Sequence, residues 1–395
     1  MYSESASTKT STRVVYVVFE PSGGMRHYAE SLSSAMSTIA DCRVVEPGGL
    51  EGFRISDDRF MTKIIKKYNP LYYRRLADTI IRQFEPQLVH ITSSSIGLMP
   101  FIARLRQQNI QVVYTIHDPD PHERKKRLWD MLVERYQYTL QMPRILSNCS
   151  ASHVHTEGHV NTLRMKYGNQ RTDKAYIVQH GGGATTAILS GTDIPKELQE
   201  ESDLFTFLFF GRIEPYKGLS ILLSAFDKLV ESNFCGRLVI AGAGAIKEDI
   251  RLPSGQCILI NRFIKDTEIR SILERASVVV LPYVSATQSG VIPLAYEFSR
   301  PVICSDIGGL PEMVIAGQTG LMVPPGDVDA LANAMRSLAE DQDVTRKMGE
   351  KARAHMTQHF SWKTVAHQHR AKYATLLTGI EAQRSTDWDT QRNAD

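Results

Sequence analysis

The stretch LFTFLFFGRIEPYKGLSILLSAFDKLVES (204–232) decides the fold class. Its opening residues form a short apolar run that ends at Gly211, which is typical of a buried parallel strand. From Leu219 onward, the apolar residues recur at helical spacing. A buried strand, a turn and an amphipathic helix in succession form the repeating unit of doubly wound α/β sheets.

The same unit recurs along the chain in two series of strand-like runs. The first series consists of RVVYVVFEP (13–21), QLVHIT (87–92), QVVYTIHD (111–118), ASHVHT (151–156) and AYIVQH (175–180). The second begins at residue 204 and continues with GRLVIAGAG (236–244), QCILINRF (256–263), ASVVVLPY (276–283) and PVICSD (301–306). Helical stretches separate the runs, so we predict two doubly wound Rossmann-like domains facing each other across a cleft.

Turn residues and polar ends set the predicted boundaries. The N-terminal domain is expected at 13–190 and the C-terminal domain at 196–360, with GGGATTAILSGTDIP (181–195) as the linker. The polar ends 1–12 and 385–395 are predicted to be disordered tails. Open sheets of this kind bind ligands at the carboxyl ends of their strands, so functional residues are expected there.

Composition limits the function classes. The 395 residues carry a formal net charge of only +3, which argues against a dedicated nucleic-acid binder. The five cysteines are scattered without metal-ligand spacing, a usage that fits a reducing cytosol. No apolar run reaches the ~18–20 residues that a membrane-spanning helix needs. We therefore expect a cytoplasmic protein, with any membrane contact peripheral and on the inner face.

A first candidate site follows the strand at 204–211. Arg212 and Lys217 flank a turn that leads into a helix, so two cations lie at a strand end beside a helix N-terminus. Such an arrangement can hold a diphosphate, since Arg grips phosphate oxygens bidentately and Lys adds a point charge. A solvated turn with incidental basic residues is an equally good interpretation of these residues alone.

A second candidate site lies in SATQSGVIPLAYEFSRPVICSDIGGLPE (285–312). Ser289 is placed to cap a helix in which Pro293 occupies the first turn. The free N–H groups of Gly290 and Val291 would then point towards an anion. Glu297, further along this apolar helix, is costly to bury unless it binds hydroxyls or, alternatively, forms a structural salt bridge.

A third candidate site lies in the front half of the chain. Gly23 and Gly24 follow the first strand, where the lack of side chains permits close backbone approach to a ligand. His117 and Asp118 end a later strand and could supply acid/base or hydrogen-bonding groups. A structural histidine is the alternative, although the position beside Asp118 at the ligand-binding edge favours function.

Together these motifs resemble glycosyltransferase family 4, whose members are retaining enzymes of the GT-B fold that use nucleotide-sugar donors. The resemblance covers roughly residues 13–380 and is strongest over 204–330, where GQTGLMVPPGDVDALANAM also matches the family's habit. It further implies that the helix at 361–384 crosses back to complete the N-terminal, acceptor-binding domain.

The resemblance implies a role for each matching residue. The residues implied in catalysis are His117, Asp118, Arg212 and Lys217, and those implied in donor binding are Gly23, Gly24, Arg212, Lys217, Phe263, Ser289, Gly290, Val291 and Glu297. Arg212 and Lys217 would neutralise the departing diphosphate, and Glu297 would hold the ribose hydroxyls. The loop 261–264, with Phe263, would contact the base, and His117 would lie at the donor sugar.

One position departs from the family pattern. The usual motif has two glutamates separated by seven residues. Glu297 matches the second glutamate, whereas the position of the first, which lies close to the donor sugar in the family, is occupied here by Ser289. Serine keeps a hydrogen-bonding group but removes a negative charge. The change puts sugar selectivity in question, together with any mechanism that requires a carboxylate at this position.

These features predict a retaining glycosyltransferase that builds polysaccharides, glycolipids or other glycoconjugates from a nucleotide-diphosphate sugar, with no other cofactor and no metal. Because Arg212, Lys217 and a helix N-terminus can stabilise the leaving group, no divalent ion is needed. The alternatives are a nucleotide-sugar-binding protein without transferase activity, an epimerase or hydrolase on the same scaffold, and a phosphorylase, for which no pyridoxal-phosphate site is recognisable.

The acceptor is expected to be a glycan, a lipid-linked molecule or a small molecule, and no nucleic acid is expected. ERKKRLWDMLVERYQY (123–138) and TKIIKKYNPLYYRRL (62–76) both combine basic and apolar residues. Either could rest on an anionic membrane surface, which would suit a lipid-linked acceptor. The slightly favoured alternative is that the apolar side of each stretch packs on the first domain.

Overall fold

The computed structural model describes residues 12–19, 24–46, 69–119, 128–200, 203–245 and 255–392. Its contacts divide the chain into two units. Met1–Val178 and Val365–Asp395 form the first unit, and Gln179–Thr364 forms the second. The boundaries expected from the sequence were 13–190 with 361–384, and 196–360.

The first unit is built on a six-stranded parallel sheet with the order β2-β1-β3-β4-β5-β6. Its strands are β1 (Arg13–Val17), β2 (Asp41–Val45), β3 (Leu88–Ile91), β4 (Gln111–Thr115), β5 (Ala151–Val154) and β6 (Ala175–Ile177). The sequence analysis did not identify β2, whose residues DCRVV alternate between exposed and buried positions at the edge of the sheet. The other five strands match the predicted runs.

Helices cover this sheet and bury its apolar side chains. They are α1 (Gly24–Met36), α2 (Pro70–Phe84), α3 (Leu98–Gln107), α4 (Leu128–Tyr136), α5 (Met142–Asn148), α6 (Glu157–Tyr167) and α7 (Asn169–Thr172), and a π-helical turn, Gln137–Gln141, joins α4 to α5. Helix α2 starts where the Asn69 side chain accepts a hydrogen bond from the Leu71 N–H. It ends at Glu85, which adopts the left-handed conformation.

The second unit has a six-stranded parallel sheet with the order β12-β11-β10-β7-β8-β9. Its strands are β7 (Phe205–Phe210), β8 (Gly236–Ala241), β9 (Cys257–Ile260), β10 (Val278–Leu281), β11 (Val302–Ser305) and β12 (Gly320–Val323). Strand β12 was not predicted, because GLMV is short and lies among turn residues. The strand order reverses between β7 and β10, which makes their carboxyl ends the expected ligand-binding edge.

The helices of the second unit are α8 (Thr186–Leu189), α9 (Leu219–Glu231), α10 (Asp266–Glu274), α11 (Val291–Glu297), α12 (Val328–Glu340) and α13 (Gln342–His359). The stretch 181–195, interpreted from its turn residues as a linker, belongs to this unit. Within and just after it, Ile188 and Leu198 are buried in the same apolar cluster as Leu208 of β7. These buried side chains attach the segment to the core of the second unit, although its turn-rich composition is typical of a linker.

The last helix, α14 (Trp362–Arg392), leaves the second unit and joins the first from Val365 onward. Its Tyr373 hydroxyl lies 2.6 Å from Nδ1 of His90 and 3.3 Å from the Tyr16 hydroxyl. Its His369 contacts the Tyr176 hydroxyl at 3.0 Å. The helix also continues as far as Arg392, so most of the tail predicted at 385–395 is helical; that segment contains no Gly or Pro to stop it.

We expect Tyr373→Phe to lower the free energy of unfolding by about 1–3 kcal/mol, because a buried acceptor on His90 loses its partner. Urea denaturation of the full chain measures this change. Thr375→Ala, at an exposed position of the same helix, is the control and should change stability by less than about 0.5 kcal/mol. Equal stability of Tyr373→Phe and wild type would show that this bond does not hold the helix.

Candidate functional site

Gly211 ends β7 at the point where the strand order of the second sheet reverses. Its φ of +109° lies in the left-handed region that favours glycine. A Cβ atom at this position would lie 2.9 Å from Nζ of Lys217 and 3.9 Å from the Val291 side chain. The missing side chain therefore lets the ammonium group and the start of α11 approach the end of the strand.

Arg212 and Lys217 lie on the turn that follows Gly211. The turn contains a 3₁₀ segment, Pro215–Lys217, and closes at Gly218, where a Cβ atom would lie 1.9 Å from the Pro282 carbonyl oxygen. The tight approach of the turn to the residue after β10 fixes the path of the backbone between the two cations. Arg212 is exposed, whereas Lys217 is partly buried, with Nζ 5.2 Å from the centroid of the Tyr283 ring.

Burial and the neighbouring Arg212 cation lower the pKa of Lys217 to about 8, and Glu214 partly opposes this shift. Both causes penalise the charged form of the lysine in the unliganded protein. A bound anion would relieve the repulsion between the two cations. A cation with a perturbed pKa at the ligand-binding edge of a doubly wound sheet marks a candidate anion site.

The segment before α11 also lies at this edge of the sheet, near Gly211 and Lys217. Ser289 is 6% exposed, and its Oγ accepts a hydrogen bond from the Val291 N–H at 3.3 Å, while its carbonyl accepts from the Ile292 N–H at 3.4 Å. The N-cap residue of α11 is Gly290, so the prediction that Ser289 is the N-cap is wrong. The helix begins at Val291, one residue later than expected, and is preceded by Gly290 with φ −67° and ψ −8°.

This arrangement changes the expected set of anion donors. The Val291 N–H, predicted to point at the ligand, is bonded to Ser289 within the protein. A Cβ atom added at Gly290 would meet no atom within 4 Å, so the backbone there borders open space. Burial raises the pKa of the adjacent Tyr283 phenol, and the Ser289 hydroxyl opposes that shift.

Glu297 is the last residue of α11, at the opposite end of the helix from Gly290. Its Oε1 lies 3.7 Å from the guanidinium of Arg353, and partial burial raises the carboxyl pKa against the effect of that cation. The backbone of Gly183, with φ +107°, approaches so closely that a Cβ atom would lie 2.8 Å from Glu297 Oε2. The salt bridge named as the alternative is present, and the ribose-binding role stays a prediction.

The loop after β9 presents an aromatic side chain to solvent. Phe263 is 78% exposed, while its neighbour Arg262 makes two hydrogen bonds of 2.7 and 2.6 Å to the Glu268 carboxylate. Asn261 accepts a hydrogen bond from the Gly244 N–H at 3.1 Å. The two residues before Phe263 are thus anchored, and the phenyl ring is left on the surface where base contact was predicted.

The front-half candidates lie in the first unit. His117 follows β4, with Nε2 3.0 Å from the Thr92 carbonyl and Nδ1 3.0 Å from Nε2 of His155. The Tyr138 hydroxyl donates to the Asp118 carbonyl at 3.1 Å. Gly24 is the first residue of α1, and Gly23 lies outside the described residues.

Sequence reasoning missed His155, which follows β5 directly at the same sheet edge as His117. The signal was present in ASHVHT, where a second histidine succeeds a buried strand. The structure brings Arg212, Lys217, Ser289, Gly290 and Val291 together in the second unit, and His117, Asp118 and His155 in the first. Within the described part of the chain, no group of three His, Cys, Asp or Glu side chains is arranged to hold a metal ion.

Two protein-family models match the chain. Residues 22–181 match the model described as Glycosyltransferase Family 4, and residues 205–341 match the model described as Glycosyl transferases group 1. Both fit the order of motifs predicted from the sequence. The first region falls in the first unit, and the second covers the sheet that carries Arg212 and Lys217.

Curated relatives match over part of their length. The chain is 34% identical over 165 residues to a glycogen synthase of Mycobacterium tuberculosis, covering 40% of each chain. It is 32% identical over 178 residues to a phosphatidyl-myo-inositol mannosyltransferase of Mycobacterium leprae, covering 44% of this chain and 47% of the relative. These matches span less than half the length of either relative.

A solved structure of the Anabaena protein HepE in complex with UDP-glucose is similar over nearly the whole chain. The TM-score is 0.66 at 16% identity, with 92% of this chain and 99% of that chain covered. At this identity the likeness establishes the fold alone. It confirms the predicted α/β fold class of two Rossmann-like domains.

We expect Lys217→Met to raise the free energy of unfolding of the unliganded protein by about 1 kcal/mol at pH 7, because the partly buried charge is removed. The folded-state pKa lies below the unfolded value of 10.5, so unfolding takes up a proton between these two pH values and wild-type stability rises with pH there. The advantage of the variant should therefore shrink above pH 8. Urea titrations at pH 7 and pH 9.5 measure it.

The exposed Lys351→Met is the matched control and should change stability little at either pH. A Lys217→Met protein that is less stable than wild type at pH 7 would contradict the conclusion that the lysine charge is held at a cost.

Proposed function

We propose, from the premise that this chain belongs to glycosyltransferase family 4, that it transfers a sugar from a nucleotide-diphosphate sugar to an acceptor hydroxyl. The observation that carries the proposal is the Arg212–Lys217 pair on one turn at the strand-order reversal, where burial of Lys217 and the nearby Arg212 cation together lower the pKa of the lysine. A diphosphate is the ligand whose charge suits such a pair.

The proposed catalytic role of the second unit is to stabilise the leaving group. As the bond between sugar and phosphate breaks, negative charge grows on the departing nucleoside diphosphate. Arg212 and Lys217 lie on one short turn, 211–218, at the ligand-binding edge, so we propose that both side chains stabilise this charge electrostatically. The open backbone at Gly290 offers room for the same phosphates, and we propose that the exposed ring of Phe263 stacks on the base.

We further propose transfer with retention, in which the leaving phosphate itself deprotonates the acceptor hydroxyl. The environment of His117 supports this, because the Thr92 carbonyl can only accept and so keeps a proton on Nε2, while Nδ1 is bonded to His155. A ring held in this way is a poor general base. A covalent glycosyl-enzyme trapped on a side chain would contradict the proposal.

A thermal-shift screen against UDP-, GDP-, ADP- and dTDP-sugars, with and without EDTA, tests the donor site. A ligand that binds the folded state raises its melting temperature. We expect a shift with one nucleotide class that EDTA leaves unchanged, since the proposal includes neither metal nor cofactor. A shift without turnover would favour a binding protein in which Ser289 marks lost catalysis, and sugar release without an acceptor would favour a hydrolase.

We expect Arg212→Ala and Lys217→Ala each to lower turnover by at least ~100-fold, because each removes one fixed charge from the leaving group. Donor kcat/KM in the wild type should fall above about pH 8 as Lys217 loses its proton. Lys217→Arg should keep its charge and abolish that decline. Near-normal kinetics in both alanine variants would mean that the diphosphate binds elsewhere.

For the acceptor, we propose that the protein is a cytoplasmic enzyme that works at a membrane surface and uses a glycan or lipid-linked acceptor. No helix in the described ranges has the length and apolarity to cross a bilayer. Around α4 and the π-helical turn, however, Met131, Leu132 and Leu140 are 54%, 52% and 51% exposed, with Arg135 and Arg144 also exposed. Apolar side chains beside arginines suit the surface of an anionic bilayer.

The two basic stretches found in the sequence therefore differ. In 123–138, Leu132 is exposed, against the favoured interpretation that the apolar side packs on the domain; residues 123–127 lie outside the described part. In 62–76, Tyr73 and Leu76 are buried in the core of the first unit, as that interpretation expects, and 62–68 lie outside the described part.

We expect the protein to co-sediment with vesicles containing phosphatidylglycerol and not with pure phosphatidylcholine vesicles. Leu132→Glu with Leu140→Glu should reduce the bound fraction by at least about tenfold, because two apolar contacts become repulsive charges. Met165→Glu, at an exposed methionine of α6 outside both basic stretches, is the matched control. Binding that ignores both the lipid charge and the double substitution would contradict the membrane proposal.

A further inference from the structure

The first unit contains a band of buried histidines on its central strands, which extends from His117 into the core. His90 lies on β3, His153 on β5 and His155 directly after β5, and none is more than 1% exposed. A set of buried imidazoles is costly unless their nitrogens are hydrogen-bonded. The pattern of these bonds therefore reveals what each ring does.

One part of the band is satisfied with neutral rings. The Val178 carbonyl can only accept, so His153 donates to it from Nε2 at 2.8 Å and receives the Thr115 hydroxyl at Nδ1, 3.0 Å away. Thr115 then accepts from Nε2 of His90 at 2.6 Å, and Nδ1 of His90 accepts from Tyr373 at 2.6 Å. Burial lowers the pKa of His90 far below its usual value, in keeping with this chain of bonds.

The second part of the band ends at His117. Because the Thr92 carbonyl holds the Nε2 proton of His117, the orientation of this ring is set from one side. Nε2 of His155 holds Nδ1 from the other side at 3.0 Å, with ring centroids 4.9 Å apart. With its single proton on Nε2, neutral His117 accepts at Nδ1 from the Nε2–H of His155, so the ring is fixed at both ends.

His155 is itself held in place. Its Nδ1 lies 3.3 Å from the Val178 carbonyl, the acceptor that also binds His153. The edge of Tyr28 packs against both rings, at 5.0 Å from His117 and 5.7 Å from His155 between centroids. A neutral His155 that donates from Nε2 has no proton on Nδ1, so the Nδ1 contact with the Val178 carbonyl is a packing contact. Packing against Val178 and Tyr28 in the buried core limits the rotation of His155, so it can transmit its position to His117.

We infer that His155 is a positioning residue for His117, holding the imidazole so that its Nε2–H stays on Thr92 and its Nδ1 stays bonded inside the first unit. The inference deepens the proposed function and rests on it only for the consequence in turnover. If His117 borders the reacting sugar, a ring displaced by about 1 Å is enough to slow transfer by up to ~100-fold. His155 touches no substrate in this scheme and acts through His117.

The direct test is nuclear magnetic resonance of protein labelled with 15N-histidine. We expect the wild type to show His117 as the Nε2–H form with a hydrogen-bonded Nδ1. His155→Leu should shift the Nδ1 resonance of His117, because its partner is gone. His155→Gln should restore the wild-type shift, since the glutamine amide nitrogen can donate from nearly the same point. An unchanged His117 spectrum in His155→Leu would overturn the inference.

The kinetic test uses the nucleotide sugar that gives the largest thermal shift among UDP-glucose, GDP-mannose and ADP-glucose. We expect His155→Leu to lower kcat by ~10- to 100-fold and His155→Gln to recover most of it. The affinity for UDP, GDP or ADP should not change in either variant, because Arg212 and Lys217 belong to the second unit. Equal kcat in His155→Leu and wild type would overturn the role in turnover.

His153→Leu is the matched control, since it also removes a buried histidine bonded to Val178 but has no hydrogen bond to His117. It should destabilise the fold and leave kcat within about threefold of wild type. A kcat loss as large as that of His155→Leu would show that only general packing is involved. If no nucleoside diphosphate binds the wild type, the proposed function fails, and the spectroscopic test still decides the contact between His155 and His117.

Discussion

The reversal of strand order between β7 and β10 is the constraint on which the chemistry of the second unit depends. Helices that cover neighbouring strands lie on opposite sides of a doubly wound sheet at such a point, which leaves the strand ends uncovered. Gly211, Arg212 and Lys217 follow one of these strands, and Tyr283 and Ser289 follow the other. The topology thus places the turn that carries both cations at this uncovered edge.

The sequence predicted the central strands of both sheets because a strand buried on both faces is apolar throughout. The edge strands β2 and β12 escaped prediction for the opposite reason. DCRVV alternates polar and apolar residues, and GLMV is only partly buried, so neither run stands out from the turns around it. The stretch 181–195, predicted as a linker, belongs to the second unit for a similar reason, since two buried apolar anchors, Ile188 within it and Leu198 just after it, are hidden among turn and polar residues.

Site residues that depend on local geometry were predicted better than those that depend on contacts between distant segments. Arg212 and Lys217 share one turn, so their proximity follows from a few residues of sequence. Ser289 was placed one residue wrongly as a cap because helix ends shift with small changes of dihedral angle. His155 meets His117 only because β4 and β5 are neighbours in the sheet, which composition and spacing do not reveal.

If the chain transfers sugar as proposed, the paired cations of the second unit also affect how tightly the product is held. A free nucleoside diphosphate carries more negative charge than the same diphosphate esterified to a sugar. A site in which burial and the Arg212 cation lower the pKa of Lys217 gains more from the more highly charged ligand. The product should therefore be held more tightly than the donor, and sustained synthesis would depend on other enzymes that keep free nucleoside diphosphate scarce.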